Sequence, residues 1–374
     1  PLDVGFIVYN ERTYPGFTRL LSELDVETRP SEMSFSVRFE EDGYEFSSRG
    51  PRGYFAQWRN LLSLNHWLLL AEVVRFQRDA RRALNRQEFM GVSFAQYLNQ
   101  RGFSRRFRER LILPLLASTW SNAPSHILGF PAHYLFTFLE THGVLAPDSI
   151  PEWRWIEGGA RTYVDRITAV LPCGSVHTGT PVRSIRRVEE GVSLGTGDGD
   201  EQPFDAVVLA CHADQALALL ADPDDEECSA LSGLRYEPTR VVLHTDSRLL
   251  PRREAARAAW NYHARDRQSV ESNRLTMTYD LNRLQGFRFD SDREGTQFCV
   301  STNPDELLDS AKILADFEYA HPVYSGATLA AQEQIRRING RRATYYAGAY
   351  LGYGFHEDGL QSGVEVARLL GVTW

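Results

Sequence analysis

Apolar and polar positions alternate, cluster or recur at helical spacing in different parts of the chain, and each pattern predicts a different element. Ser34–Phe39 alternates, Glu41-Asp-Gly43 interrupts it, and Tyr44–Ser47 resumes it, which predicts a hairpin. Alternation returns at Val182–Val188 and Gly191–Leu194, then at Arg240–Asp246, Ala258–His263, Leu275–Leu281 and Gln297–Thr302. The last set has no long helices between its members, so it predicts an antiparallel sheet. Phe204–Cys211 is an almost unbroken apolar run that leads into a helical segment, Ala213–Leu220. Such a run predicts a strand buried on both faces. Pro1–Tyr9 also reads as a strand, so the chain opens inside an element.

Helical spacing dominates residues 54–144. Trp58–Leu84 reads as one long helix or two. Ser93 is placed to cap a helix through Phe94–Leu98, and Phe107–Leu116 continues towards Trp120. Pro131, Pro147 and Pro151 close this block. A further helix is predicted over Tyr163–Leu171, while residues 1–50 otherwise mix short extended runs with turns. Near the C-terminus, Arg342–Ala347 is strand-like. The last helix is expected from near Gly359, with Leu360, Val364 and Ala367 on one face and Gly371 beyond its end.

Between that strand and that helix lies Gly348-Ala-Tyr-Leu-Gly-Tyr-Gly-Phe-His-Glu-Asp358. Strand, glycine-rich turn and helix together turn backbone N–H groups and a positive helix end towards an anionic ligand. Gly348, Gly352 and Gly354 let the main chain come close where a side chain would block it. His356 in this loop reads either as a base or as a histidine bonded to backbone. Glu357 and Asp358 read either as caps of the following helix or as groups taking part in chemistry.

Composition narrows the classes. A chain of 374 residues predicts two domains, and 43% hydrophobic with 24% charged residues is ordinary for a globular protein. The net charge of -8 argues against nucleic acid as the partner. Cys173, Cys211, Cys228 and Cys299 form no CxxC pair, and no Cys/His cluster has zinc-ligand spacing, so no metal site and a reducing, cytoplasmic compartment are expected. No apolar stretch reaches the roughly 20 residues of a membrane span. Leu61–Phe76 comes nearest, and Arg75, Arg78, Arg81, Arg82 and Arg86 follow. Segment 61–86 therefore reads either as a peripheral helix touching anionic lipid or as a cap-domain helix with a solvated basic face.

Several stretches taken in order resemble one family. They are Val4–Asn10, Trp155–Gly159 with Tyr163-Val164, Ala206–Ala210, Ala259–Tyr262, Tyr279 with Asn282–Gln285, Tyr319–Pro322 and Gly348–Gly363. The set resembles the flavin-dependent amine oxidase superfamily, which includes phytoene desaturases and protoporphyrinogen oxidases, and within it a bacterial group of NAD/FAD-binding proteins. The resemblance implies a mixed α/β, two-domain fold. A Rossmann-like FAD domain would comprise 1–8, 152–235 and 335–374, and a substrate or cap domain of antiparallel sheet and helices would comprise 9–151 and 236–334. The family's G-x-G-x-x-G element and ribose carboxylate have no counterpart here. Gly195–Gly199 is the one similar run, and it reads as a surface turn. The FAD domain is thus expected to be truncated at its N-terminus, with the fingerprint upstream of Pro1.

The same resemblance places Gly348, Gly354, Phe355, His356, Glu357 and Asp358 along the isoalloxazine and ribityl parts of FAD. Gly359 would open the helix facing the pyrimidine edge. Gly5 and Phe6 would pass beside the ring, Val182 would meet the adenine, and Ala210 and Cys211 would end a strand near the cofactor. Tyr9, Asn10, Trp153, Trp260, Tyr262, Tyr279 and Tyr353 would line the substrate site. Each aromatic also reads as plain core. The implied activity is hydride transfer between an apolar small molecule, such as an unsaturated acyl chain, and the flavin, with His356 the catalytic candidate. An amine oxidase releasing hydrogen peroxide is the second reading, and a truncated, cofactor-free binding module is the third.

Overall fold

The computed structural model describes residues 1–121, 123–146, 150–197, 199, 201–265, 276–286, 295–304 and 308–374. Pro147 and Leu275 lie outside them, as does Asp198 of the run Gly195–Gly199. The chain divides into two units. The first comprises Pro1–Thr13, Glu27–Ala160 and Glu237–His321; the second comprises Tyr14–Val26, Arg161–Tyr236 and Pro322–Trp374.

The main sheet of the first unit has seven strands in the order Ile313–Val323, Arg235–His244, Cys299–Thr302, Thr276–Asp280, Trp260–Ala264, Phe35–Phe39 and Tyr44–Ser47. The hairpin forms where alternation predicts it, with Val37 opposite Phe46. From Arg235–His244 to Tyr44–Ser47 the sheet is antiparallel except at one junction, where Trp260–Ala264 runs parallel to Phe35–Phe39 and Tyr262 faces Val37. Those strands are distant in sequence, so no tight turn forces them to be antiparallel. Alternation also implies one wet face, yet Ser36, Arg38, Asn261 and Thr278 are all buried. Their polar atoms find hydrogen-bond partners in and around the sheet. Ser36 Oγ donates to Asn261 Oδ1 at 2.7 Å, and Asn261 Nδ2 donates to the Ala258 carbonyl at 2.6 Å.

A smaller sheet pairs Tyr9–Asn10 and Thr28–Ser31 with Trp153–Ile156. The strand expected over Pro1–Tyr9 is confined to Tyr9–Asn10. In the helical block, Trp58–Leu84 resolves into Trp58–Leu62 and Leu64–Asn85. The break is Ser63, whose backbone is extended and whose hydroxyl accepts the His66 N–H at 3.3 Å. Ser93 forms a capping box with Gln96. Phe76, Phe94, Tyr97 and Phe136 fill the centre of the block, Tyr97 and Phe136 lying edge to face at 4.7 Å.

The second unit is built on a short parallel pair, Val207–Leu209 with Thr344–Tyr346. A three-stranded antiparallel sheet, Val182–Val188, Gly191–Thr196 and Glu201–Phe204, accompanies it. The single strand expected over Phe204–Cys211 is two strands, because Phe204 pairs with Val192 and only Val207–Leu209 joins the parallel pair. The core gathers Leu209, Ala213, Leu231, Ile335, Tyr346 and Tyr350. Helix Pro15–Glu23 also belongs to this unit, in a stretch where extended runs and turns were expected. The last helix spans His356–Leu369, three residues earlier than the periodicity indicates, so Glu357 and Asp358 lie in its first turn. It closes as expected at Gly371, with φ +85°, where the N–H of Val372 reaches back to the Ala367 carbonyl at 2.9 Å.

Candidate functional site

The expected site residues divide between the units. Val182, Ala210, Cys211, Gly348, Tyr353 and Gly354–Gly359 are in the second, and Gly5, Phe6, Tyr9, Asn10, Trp153, Trp260, Tyr262 and Tyr279 are in the first.

In the second unit, the two parallel strands end at the same edge. Ala210 and Cys211 leave one, and Ala347 and Gly348 leave the other, with the Ala347 N–H donating to the Leu209 carbonyl at 3.1 Å. The carboxyl edge of a parallel pair is where α/β sheets bind ligands. The Gly348 N–H donates to Ser362 Oγ at 2.8 Å, which fastens the glycine-rich loop to the last helix. Val182 begins its strand partly buried against the same core.

The loop glycines answer first to the chain's own packing. A Cβ on Gly348 would stand 2.4 Å from the Tyr350 ring, and one on Gly352 would stand 2.2 Å from Asp358 Oδ1. Gly354 has φ +94°, and its Cβ would lie 2.6 Å from Tyr324 Oη. The close approaches that favour glycine here are therefore to the chain's own side chains, two within the loop and one from Tyr324 outside it.

Two acids and an imidazole crowd the start of the last helix. Phe355 occupies the N-cap position without an acceptor side chain; Asp358 Oδ2 takes the Phe355 N–H at 2.8 Å. Burial pushes the Asp358 carboxyl up to about 6, against the backbone N–H groups that favour its charge. Glu357 turns to another element. Its oxygens accept the N–H groups of Gly16 at 3.0 Å and Phe17 at 2.8 Å, at the start of helix Pro15–Glu23. Of the two acids expected to cap this helix, Asp358 caps it and Glu357 caps a different one. His356 Nε2 lies 2.6 Å from Tyr163 Oη, with Phe17 edge-on to the imidazole at 5.0 Å. Burial lowers the His356 pKa to about 4, so the ring is neutral at neutral pH.

In the first unit, strand pairing sets Asn10 opposite Trp153 and Tyr9 opposite Arg154. Asn10 is fully buried and its Oδ1 accepts the Thr13 N–H at 2.9 Å. Trp260 and Tyr279 face each other across adjacent strands, edge to face at 5.3 Å, and both are partly buried against a core that includes Val8, Leu281 and Val300. Trp153 and Trp155 pack on that core as well. Tyr262 is buried beside Phe39, at 5.8 Å between rings. Gly5 is exposed, and Phe6 is half-buried.

Sequence reasoning passed over Phe17 and Tyr324 and gave Tyr163 no role. Phe17, Leu20, Leu21 and Leu24 recur at helical spacing just after Pro15, a readable signal for the helix that carries Phe17. Tyr324 stands at the end of a long strand, and nothing local in the sequence ties it to Gly354.

Among the described residues no group of His, Cys, Asp or Glu is arranged to hold a metal ion. The carboxyl edge and the helix start fit the ring end of FAD, because both present backbone dipoles to a ligand that carries negative charge when reduced. Comparison with curated proteins gave no match. Among solved structures, the fold is similar to a CLA-producing fatty acid isomerase from P. acnes, with 14% identity over 99% of this chain and 87% of that one and a TM-score of 0.66. It is also similar to cyclohexylamine oxidase from Brevibacterium oxydans IH-35A, with 13% identity, coverage of 100% and 89%, and a TM-score of 0.63. Reduced UDP-galactopyranose mutase matches at 11% identity, coverage of 98% and 84%, and a TM-score of 0.61. At such identities the likeness shows the fold alone. The profile of the flavin-containing amine oxidoreductases matches residues 1–300. The chain therefore belongs to that family of oxidoreductases, whose cofactor is FAD.

Proposed function

We propose that this protein is an FAD-dependent oxidoreductase that moves a hydride between a C–H bond of an apolar, acyl-type substrate and the flavin. The flavin, when bound, supplies the hydride acceptor or donor. The chain's own residues bind, orient and shield. Gly348 and the first turn from His356 would hold the ring end, and the positive end of the last helix favours negative charge there by about 0.5–2 kcal/mol. Neutral His356 is tied by a hydrogen bond between its Nε2 and Tyr163 Oη and positions the loop around it.

The observation that carries the apolar substrate is the group Trp153, Trp155, Trp260 and Tyr279, partly buried aromatics on one hydrophobic core. A protein of similar fold acts on a fatty acid, which supports the same reading. Amine oxidation is the second reading, supported by the family itself and by the cyclohexylamine oxidase of similar fold.

Anaerobic mixing of the flavin-loaded protein with an unsaturated fatty acid, and separately with a primary amine, tests both. Bleaching of the flavin absorbance by the fatty acid is the expected result. Bleaching by the amine alone, with peroxide on admission of oxygen, replaces the proposal with amine oxidation. A protein that takes up no flavin overturns both and leaves a binding module.

A further inference from the structure

The helix pair Trp58–Leu62 and Leu64–Asn85 carries a patch that the site does not use. Trp58 is 76% exposed, Leu62 75% and Leu64 73%, and Leu61, Trp67 and Leu68 are exposed beside them. Monomeric proteins seldom show water so many large apolar side chains in one place. The patch is held in shape. Trp67 Nε1 donates to the Leu61 carbonyl at 2.9 Å, and Trp67 packs on Phe55 at 5.0 Å between ring centroids. Arg59 is the only charged residue from Trp58 to Ala71, and it donates to the carbonyls of Asp42 and Gly43.

Further along the second helix the same face changes character. Leu64, Leu68, Ala71, Arg75, Arg78 and Arg82 share one side at helical spacing, and all are exposed. Arg75 pairs with Glu72 at 3.4 Å, whereas Arg78 and Arg82 meet no acidic side chain among the described residues. One face thus joins an apolar tip to a row of unneutralised positive charge. Two tryptophans sit at the tip, the side chain favoured at the boundary between headgroup and acyl chain. No described helix is long and apolar enough to cross a membrane, so the geometry is that of a surface contact.

We propose that this face docks on the surface of an anionic phospholipid bilayer. Trp58, Leu61, Leu62, Leu64 and Leu68 enter the acyl boundary, and Arg78 and Arg82 contact the lipid phosphates. The charge favours a bilayer: an anionic leaflet satisfies the apolar tip and the arginines together. The proposal does not rest on flavin chemistry.

Flotation of the full chain with phosphatidylcholine–phosphatidylglycerol vesicles at low salt tests it, with phosphatidylcholine vesicles as control. The expected result is co-flotation with the anionic vesicles, weakened by salt. Leu62→Gln combined with Leu64→Gln lowers the bound fraction about tenfold or more, because two exposed leucines lose their insertion. Arg78→Gln and Arg82→Gln each lower it about fivefold at low salt, with little effect at high salt. All four side chains are exposed, so circular dichroism and the melting temperature stay as in the parent. Absence of flotation with anionic vesicles, or variants that float like the parent, overturns the proposal. So does a dimer in light scattering that the double leucine variant dissolves, which assigns the face to a second copy.

Discussion

The Glu357 carboxylate accepts the Phe17 N–H at 2.8 Å, a bond across 340 residues of sequence. With the Gly16 N–H it completes the start of a helix whose own N-cap residue, Tyr14, offers no side-chain cap. Helix starts need acceptors, and here the acceptor comes from the first turn of the chain's last helix. Glu357→Ala is expected to lower stability by about 1–2 kcal/mol, the usual size of a lost cap. Glu357→Gln keeps one acceptor oxygen and costs about half as much. Denaturant melts of the three proteins check this; equal midpoints would remove Glu357 from the stabilising contacts.

His356 fills space and holds a hydroxyl. His356→Ala opens a cavity beside Phe17 and leaves Tyr163 Oη without its imidazole, for an expected loss of about 2–4 kcal/mol. In flavin-loaded protein the same change should slow flavin reduction more than it lowers bound FAD. Stopped-flow rates set against absorbance measure the two; equal losses would leave His356 no part in the reaction step.

Burial holds the pKa values of His142, His244 and His356 down, each to about 4. An unfolded histidine titrates near 6.5. Between about pH 6.5 and 4 the unfolded chain therefore binds more protons at these groups than the folded one, and stability falls with acidification by up to roughly 3 kcal/mol per histidine. Asp358, raised to about 6, works in the opposite direction, because the folded state keeps its proton and gains as pH drops through that value. Three histidines outweigh one aspartate. Urea midpoints at about pH 7.5 and 5 should differ, the acid value lower; an acid midpoint at or above the neutral one would contradict buried neutral histidines.

Gly354 combines φ +94° with a Cβ position 2.6 Å from Tyr324 Oη. Gly354→Ala should cost about 2 kcal/mol or more through backbone strain and displacement of Tyr324. Gly363→Ala is the control: a Cβ there meets nothing within 4 Å, so helix propensity alone acts and stability rises by about 0.5–1 kcal/mol. Thermal melts of both variants decide it; a neutral Gly354→Ala would show that the loop tolerates a side chain.

Local pattern revealed the local elements. The hairpin at Phe35–Ser47, the Ser93 capping box and the Gly371 helix stop each depend on a few neighbouring residues, and each was readable in advance. The sequence failed where distant residues decide. Nothing near Phe204 shows that its partner is Val192 while Val207 joins Thr344. Nothing near Glu357 shows that its partner is a helix start far upstream. At the candidate site, Gly348–Asp358 was recognisable as a loop and Gly359 as near a helix start, although the helix opens three residues earlier. The tyrosines that brace them, Tyr163 and Tyr324, come from separate segments and were not. The alternating strands around Asn261 misled for a related reason, since a polar side chain facing a buried sheet looks in sequence like one facing water.

The capping of Gly16 by Glu357 has a consequence for the order of events on the ribosome. At elongation rates of roughly 5–20 residues per second, the start of helix Pro15–Glu23 waits on the order of tens of seconds for its acceptor to be synthesised. During that interval Phe17 and Leu21, buried in the finished protein, have no completed unit to enter. The second unit can be assembled only after residue 357 has been made, by which point every segment of the first has been synthesised. A nascent chain stalled before residue 357 should therefore keep this segment open to proteases and chaperones, and release of the last helix should close it.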